Sequence, residues 1–228
     1  MGHLKPPATA TSPRFGLGYH NPFQISLNSS IWTLIERVYA MPPTPPRRRE
    51  KPMQVLCVGL PRSGTESLQQ ALLHLGYNHT YHGWDIVYDS ECHSPGWVAL
   101  ARKKFYEGKT LTAEDFDGVM GHSVAVTDAA ASVFAADLIA AYPEAKVVLN
   151  MRGNVDAWRK SLESTLVKAN ESWAWWIASW LDRECFWAWH VYERFLWPLL
   201  FRAPDGDMAE AIRRNAGWIQ RGTFFSPD

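Results

Sequence analysis

The stretch from Val55 to Leu75 constrains the fold of this chain more than any other part of its sequence. It begins with an apolar, β-branched run that ends at Gly59, passes through a short turn to Gly64, and then places apolar residues at helical spacing. This order predicts a buried strand, a tight loop and the start of a helix. Glycines in a G-x-x-x-x-G pattern let backbone amides converge on an anion, and the helix start adds partial positive charge. The sequence therefore predicts an anion-binding loop.

The residues around the second glycine argue against a magnesium-dependent nucleotide hydrolase or kinase. Such proteins place Lys and then Ser or Thr after that glycine, but Thr65 and Glu66 occupy these places here. The cationic side chain of the loop is Arg62, whose planar guanidinium suits an oxyanion. A later apolar strand, 146–150, also ends without the acid that such an enzyme needs. We predict an anion site that works without a metal ion.

The loop Leu60–Leu68 and the later Tyr81-His82 pair resemble motifs of the P-loop sulfotransferase superfamily, most closely a fungal and bacterial branch whose loop reads F-P-R-T-G-T-x-S-L. The resemblance implies an α/β fold: a P-loop three-layer α/β/α domain with a central parallel sheet, here followed by an aromatic-rich helical C-terminal region. It also implies that 3′-phosphoadenosine 5′-phosphosulfate (PAPS) is the sulfonate donor. The residues it places around the 5′-phosphosulfate are Pro61, Arg62, Ser63, Gly64, Thr65, Glu66 and Ser67.

Two further residues resemble the part of the family that holds the 3′-phosphate of PAPS. Arg152 follows the apolar strand 146–150, as the family's arginine does, and Ser161 resembles a serine two helical turns further on. Ser161 lies nine residues after Arg152, where the family pattern has eight. An extra residue in the intervening loop leaves Ser161 facing the site, whereas an extra residue within the helix rotates it by about 100°.

His82 and Asp128 are the candidates for proton transfer, and we predict them as catalytic residues together with Arg62. Each follows a short predicted strand, and ligands of open α/β sheets bind outside the carboxyl ends of the strands. A histidine there suits removal of a proton from an acceptor hydroxyl, and the family's Y-H implies that role for His82. An ordinary strand-end histidine is the alternative. Asp128 either orients His82 or the acceptor, or caps the helix that follows.

Proline content predicts a poorly ordered lead over residues 1–52 and one domain over residues 53–228. Within the lead, a short amphipathic helix between Ser30 and Met41 either packs on the domain or stays mobile. Arg47-Arg48-Arg49 reads as a solvated tether or as a basic targeting patch. Family members usually continue with a strand and a helix after the last predicted helix, 207–220. We therefore expect either a shortened member of the family, which another chain could complete, or a truncated gene model.

The amino-acid composition limits which classes of molecule this chain is expected to bind. Lys plus Arg balance Asp plus Glu at 23 each, so no global field favours nucleic acid. Three cysteines without zinc spacing, and no apolar leader, predict a reduced cytoplasmic protein. Eight of the twelve tryptophans fall between Trp158 and Trp197, which predicts an aromatic core of two helices, an apolar acceptor pocket, or a peripheral membrane or partner contact. A homodimer is also compatible with the sequence.

These features predict a sulfotransferase of secondary metabolism that moves a sulfonate group from PAPS to a hydroxyl or amine of a small, lipophilic acceptor. Two alternatives keep the fold and change the function. One is a biosynthetic isomerase, cyclase or dehydratase that acts on an apolar intermediate without PAPS. The other is a non-catalytic interaction protein.

Overall fold

The computed structural model describes residues 25–42, 47–88, 92–203 and 207–220, together with Pro22 and Pro45. Within them the helices are α1 (Ser30–Val38), α2 (Thr65–His74), α3 (Asp85–Tyr88), α4 (Ser94–Ala101), α5 (Ala113–Met120), α6 (Ala129–Val133), α7 (Ala135–Ala141), α8 (Val155–Leu162), α9 (Lys168–Asn170), α10 (Trp173–Leu181), α11 (Arg183–Trp189), α12 (Trp197–Phe201) and α13 (Met208–Gln220). π-Helical segments at Arg102–Tyr106, Glu163–Val167 and His190–Leu196 continue α4, α8 and α11.

A four-stranded parallel sheet lies at the centre. Its strands are β1 (Val55–Cys57), β2 (Thr80–Tyr81), β3 (Ala125–Val126) and β4 (Lys146–Val148), in the order β2-β3-β1-β4. Val55 is in register with Ala125 and Lys146, and Thr80 is in register with Ala125. Since all strands run in the same direction, their carboxyl ends lie together along one side of the sheet, which we call its carboxyl edge. The predicted α/β fold with a central parallel sheet is confirmed.

Strand β1 is buried on both faces, which explains its unbroken apolar sequence. Leu56 and Val126 belong to the large core, which also contains Trp97 of α4 and Phe186 of α11. Val55 and Cys57 pack against Leu72 of α2 on the other face. Burial raises the pKa of the Cys57 thiol to about 11, so this cysteine is an inert part of the core. The alternation of side chains along β1 therefore joins a layer of helices to each face of the sheet.

Strand β4 lies at the edge of the sheet. Within the described residues it pairs with β1 alone, through the register of Val148 with Cys57. Val147 and Leu149 are each 48% exposed. The apolar run that predicted this strand therefore stands partly in solvent, where an unpaired apolar edge favours self-association.

Helix α1 packs on the folded body, which is one of the two predicted alternatives for the helix between Ser30 and Met41. Trp32 is fully buried. Glu36 accepts a hydrogen bond from Nη1 of Arg102 and contacts Nε2 of His190, each at 2.7 Å. These partly buried polar contacts attach α1 to the segments that follow α4 and α11. The residues of this predicted lead that lie outside the described ones are 1–21, 23–24, 43–44 and 46.

Arg49 is also part of the fold rather than of a solvated tether. Its Nε lies 2.6 Å from Oδ1 of Asp117, and its Nη1 donates to the carbonyl oxygen of Ser123 at 2.5 Å. The Tyr142 hydroxyl donates to the same Asp117 oxygen at 2.6 Å. This cluster fixes the chain just before β1 against α5 and the segment that leads into β3.

The tryptophan-rich region forms mainly core, as one of its three predicted interpretations stated. Trp158, Trp187, Trp189 and Trp197 are 5% exposed or less, whereas Trp173 on α10 is 64% exposed. Across the described residues no helix has the length and apolar character needed to cross a membrane.

Candidate functional site

The loop between β1 and α2 is held by the end of the neighbouring strand β4. The amide of Gly59 donates to Oδ1 of Asn150 at 3.1 Å, and Nδ2 of Asn150 donates to Oγ of Ser63 at 2.6 Å. A Cβ atom at Gly59 would lie 2.1 Å from the carbonyl oxygen of Asn150, so this position requires glycine. Sequence reasoning missed Asn150, although its place at the end of the strand beside β1 was a usable signal.

A second support comes from helix α8. The buried indole Nε1 of Trp158 donates to the carbonyl oxygen of Pro61 at 2.9 Å. The next residue, Arg62, has a φ of 67°, and Gly64 has a φ of 89°. A positive φ in a residue other than glycine costs about 1 kcal/mol or more and persists where its surroundings impose it. The loop is therefore fixed in one conformation before any ligand binds.

The first turn of α2 presents backbone amides that no side chain caps. Gly64 is the N-cap residue, and α2 has no capping hydrogen bond from a side chain. The first amides of a helix have no partner within the helix, and here they belong to Thr65, Glu66 and Ser67. A Cβ atom at Gly64 would meet nothing within 4 Å. Open space and backbone hydrogen-bond donors therefore lie together at this turn. Phosphate and sulfate groups bind at helix N-termini of this kind.

Arg62, Ser161 and Arg152 come together beside the loop. Nε of Arg62 donates to Oγ of Ser161 at 3.0 Å, and Nη1 of Arg152 donates to the carbonyl oxygen of Arg62 at 3.4 Å. Helix α8 begins after Asn154, whose side chain accepts from the amide of Ala157, so the extra residue lies in the loop before the helix. Ser161 therefore faces the loop despite its shifted spacing.

Thr65, Asp128 and His82 form a second group on the other side of the same loop. The hydroxyl of Thr65 donates to Oδ1 of Asp128 at 2.9 Å, and its oxygen lies 3.4 Å from Nε2 of His82. Thr65 and His82 are buried, at 5% and 3% exposure. In the described part of the chain Asp128 makes no hydrogen bond to His82 and no side-chain capping bond to α6, so Thr65 stands between His82 and Asp128.

The hydrogen-bond donors fix the tautomer of His82. The backbone amide of Trp84 donates to Nδ1 at 3.1 Å, so Nδ1 must carry a lone pair. In the neutral ring the proton is then on Nε2 and points to the oxygen of Thr65. The resulting chain runs from His82 through Thr65 to the carboxylate of Asp128, which is the final acceptor.

Gly83 and Tyr192 complete this side of the site. A Cβ atom at Gly83 would lie 2.1 Å from Oδ2 of Asp128, so glycine allows the two segments to approach. The Tyr192 hydroxyl donates to the carbonyl oxygen of Gly83. Burial and then the charge of Asp128 raise the pKa of Tyr192 well above its ordinary value, so the hydroxyl stays protonated. Asp128 has a φ of 66°, a second strained residue at this edge of the sheet.

All the residues predicted from the sequence as site residues therefore lie around one loop at the carboxyl edge of the sheet. The structure adds Asn150, Trp158, Gly83 and Tyr192 to them. Among the described residues no group of three or more His, Cys, Asp or Glu side chains is arranged to hold a metal ion.

Comparison with known proteins agrees with this architecture. Residues 54–221 match the model of a family described as the sulfotransferase domain. Ava biosynthesis cluster protein M of Aspergillus versicolor is 38% identical over 151 residues, which are 66% of this chain and 54% of that protein. The chain thus spans about half the length of the curated relative that it matches.

Proposed function

Since this chain belongs to the sulfotransferase domain family, we propose that it transfers a sulfonate group from PAPS to a hydroxyl or amine of a small, lipophilic acceptor. The observation that carries the proposal is the convergence of Arg62, Arg152 and Ser161 on the loop that leads into the uncapped first turn of α2. Two exposed guanidinium groups and a row of free amides form a site for a ligand with several anionic groups. The relative's name, a biosynthesis cluster protein, favours a small-molecule substrate.

The donor side fits PAPS in its chemistry. The amides of Thr65, Glu66 and Ser67 would hold the 5′-phosphosulfate, with Arg62 beside them. Arg152 and Ser161 would hold the 3′-phosphate. When bound, PAPS supplies an activated sulfonate whose leaving group is a phosphate oxygen. The donors of the loop are already fixed in place, so they stabilise the charge that develops there without reorganisation.

The acceptor side favours Asp128 as the group that receives the proton. In the neutral ring Nε2 of His82 carries a proton, and Nδ1 is occupied by the amide of Trp84. The carboxylate of Asp128 retains unused lone pairs and accepts from Thr65. In this proposal Asp128 takes the proton of the acceptor hydroxyl, and His82 positions Thr65. The assignment of His82 as the base stays a prediction from the resemblance.

A titration with 3′,5′-bisphosphoadenosine, the desulfonated donor, tests the donor side. We expect one site per chain by calorimetry. Arg152→Ala should weaken binding by about tenfold to a hundredfold, because a hydrogen bond to a charged group contributes about 1.5–3 kcal/mol. Arg183→Ala, an exposed arginine on α11 outside the site, should leave binding unchanged. Absence of binding at millimolar nucleotide, or equal losses in both variants, would refute the proposal.

Turnover tests the acceptor side. Purified protein with PAPS and a panel of phenols, alcohols and amines should release 3′,5′-bisphosphoadenosine. Asp128→Asn removes the negative charge but keeps an oxygen that accepts from Thr65. It should therefore lower kcat by about a hundredfold and leave nucleotide affinity unchanged. If His82→Gln lowers kcat more than Asp128→Asn does, His82 is the base.

A second candidate is a PAPS-independent isomerase, cyclase or dehydratase on an apolar intermediate. The observation that favours it is the set of Thr65, His82 and Asp128, whose polar side-chain atoms contact one another at 2.9 and 3.4 Å. Such an enzyme would keep its turnover in the Arg152→Ala variant and lose it in Asp128→Asn. The same two variants therefore separate the two functions.

A further inference from the structure

Two exposed aromatic side chains stand directly beside the proton-transfer residues. Trp84 is 50% exposed and Tyr88 is 73% exposed, with ring centroids 5.7 Å apart. Among the large apolar side chains of the described residues, the other exposed aromatic one is Trp173 on α10. Six tryptophans of the described residues are instead buried in the core, so the position of Trp84 calls for a physical reason.

Trp84 is fixed relative to the site. Its amide donates to Nδ1 of His82, and its indole stacks on the His82 ring with centroids 6.4 Å apart and planes inclined by 24°. The carboxylate of Asp85 accepts from the amide of His82 at 2.7 Å and so holds the turn into α3. The exposed face of the indole is therefore presented at a defined position beside the buried ring of His82.

The charges near this pair differ from those at the anion loop. Asp85 accepts from the amide of His82 at 2.7 Å and Asp128 accepts from Thr65 at 2.9 Å, so two carboxylates lie close to this side of the site, and the imidazole of His79 contacts Asp85 at 3.2 Å. The guanidinium groups of Arg62 and Arg152 lie on the other side of the loop. A ligand on Trp84 would thus meet negative potential, which favours a neutral or cationic molecule and disfavours a carboxylate.

We propose that Trp84 and Tyr88 form an aromatic ledge that binds the flat face of a planar aromatic alcohol or amine and presents its polar group toward Asp128. Flat rings stack on exposed indole and phenol faces, and rigid side chains bind with little loss of conformational entropy. The ligand's identity as the acceptor rests on the proposed sulfonate transfer. The segment that supplies the ledge lay outside the tryptophan-rich region in which the sequence predicted an apolar pocket.

Ligand-observed NMR with 2-naphthol, measured on the full chain without nucleotide, tests the ledge. We expect Trp84→Ala to weaken 2-naphthol binding by about tenfold and Trp84→Phe by about threefold or less, because phenylalanine keeps an aromatic face. Trp173→Ala removes an indole elsewhere on the surface that is 64% exposed, compared with 50% for Trp84, and should change nothing. 2-Naphthoate should bind about fivefold more weakly than 2-naphthol, because it carries a negative charge.

Each result decides the proposal. No binding of 2-naphthol to the wild-type chain, equal losses in Trp84→Ala and Trp173→Ala, or tighter binding of 2-naphthoate would overturn it. A melting curve of each variant establishes that it is folded, and Trp84→Phe serves where Trp84→Ala is not. A parallel titration with 3′,5′-bisphosphoadenosine separates this inference from the proposed function. If the nucleotide fails to bind while Trp84 still controls naphthol binding, the donor assignment fails and the ledge stands.

Discussion

Replacement of Glu193 by glutamine should stabilise this protein at neutral pH. Glu193 is 4% exposed, lies in the π-helical segment after α11, and accepts a hydrogen bond from Nδ2 of Asn170 at 2.6 Å. Burial raises the pKa of this carboxyl from 4.5 to about 8. Glutamine keeps the oxygen that Asn170 needs and carries no titratable proton.

The magnitude follows from the linkage between proton binding and folding. Between pH 4.5 and pH 8 the folded state keeps a proton on Glu193 that the unfolded state releases. The free energy of unfolding therefore falls as pH rises, by about 1.4 kcal/mol per pH unit from this group alone. At pH 7 the cost is about 3 kcal/mol at most, so Glu193→Gln should gain about 1–3 kcal/mol.

Urea denaturation of both proteins at pH 5, 6, 7 and 8 measures the effect. The difference between the two unfolding free energies should be small at pH 5 and should grow with each pH unit. His190, whose pKa burial lowers to about 4, loses a proton on folding in the window from about pH 4 to 6.5. His190 therefore makes the free energy of unfolding rise with pH in this window. Both proteins contain His190, so its contribution cancels in the difference between their unfolding free energies. Glu171→Gln, at an exposed site, is the control, and parallel curves for wild type and Glu193→Gln would refute the reasoning.

Two more substitutions test the scaffold around the site and behind it. Gly59→Ala places a Cβ atom 2.1 Å from a backbone carbonyl oxygen and should lower the melting temperature by about 10 °C or more. The control is Gly118→Ala, in open space on α5, which should raise the melting temperature slightly. Equal effects of the two substitutions would contradict the loop geometry. Glu36→Gln leaves the partly buried Arg102 without its carboxylate and should cost about 2 kcal/mol in urea denaturation. Glu144→Gln, at an exposed site, should cost almost nothing, and a similar small cost in both variants would show that the pair does not anchor α1.

The sequence predicted the fold because the decisive signal is local. The apolar run of β1, the two glycines and the helical spacing after Gly64 all lie within one short stretch, and each follows from backbone sterics or burial. Arg152 and Ser161 were identified through the resemblance to the sulfotransferase superfamily, on the motif that follows the strand 146–150. Their roles in binding stay predictions, whereas their place beside Arg62 is a fact of the structure.

What the sequence did not predict are contacts between distant segments. Asn150 binds Gly59 across two strands, and Trp158 binds Pro61 from a helix almost a hundred positions away. No periodicity encodes such pairs, because each depends on the register of the sheet and the angle of a helix. Glu36 was missed for the same reason. Its helix is amphipathic by sequence, but only packing shows that a carboxylate on it accepts a hydrogen bond from Arg102 in a partly buried position.

Thr65 explains why the absence of a lysine matters in this loop. It occupies the position that carries lysine in magnesium-dependent nucleotide hydrolases, and its buried hydroxyl donates to Asp128 while its oxygen faces Nε2 of His82. A lysine here would form an ion pair with Asp128, and the carboxylate would then no longer be free to accept a proton. A threonine instead connects the uncapped turn, through its amide, to His82 and Asp128, through its side chain. In the proposed sulfonate transfer, Thr65 would therefore bring the donor and the acceptor within hydrogen-bond reach of each other, which is the geometry that direct group transfer requires.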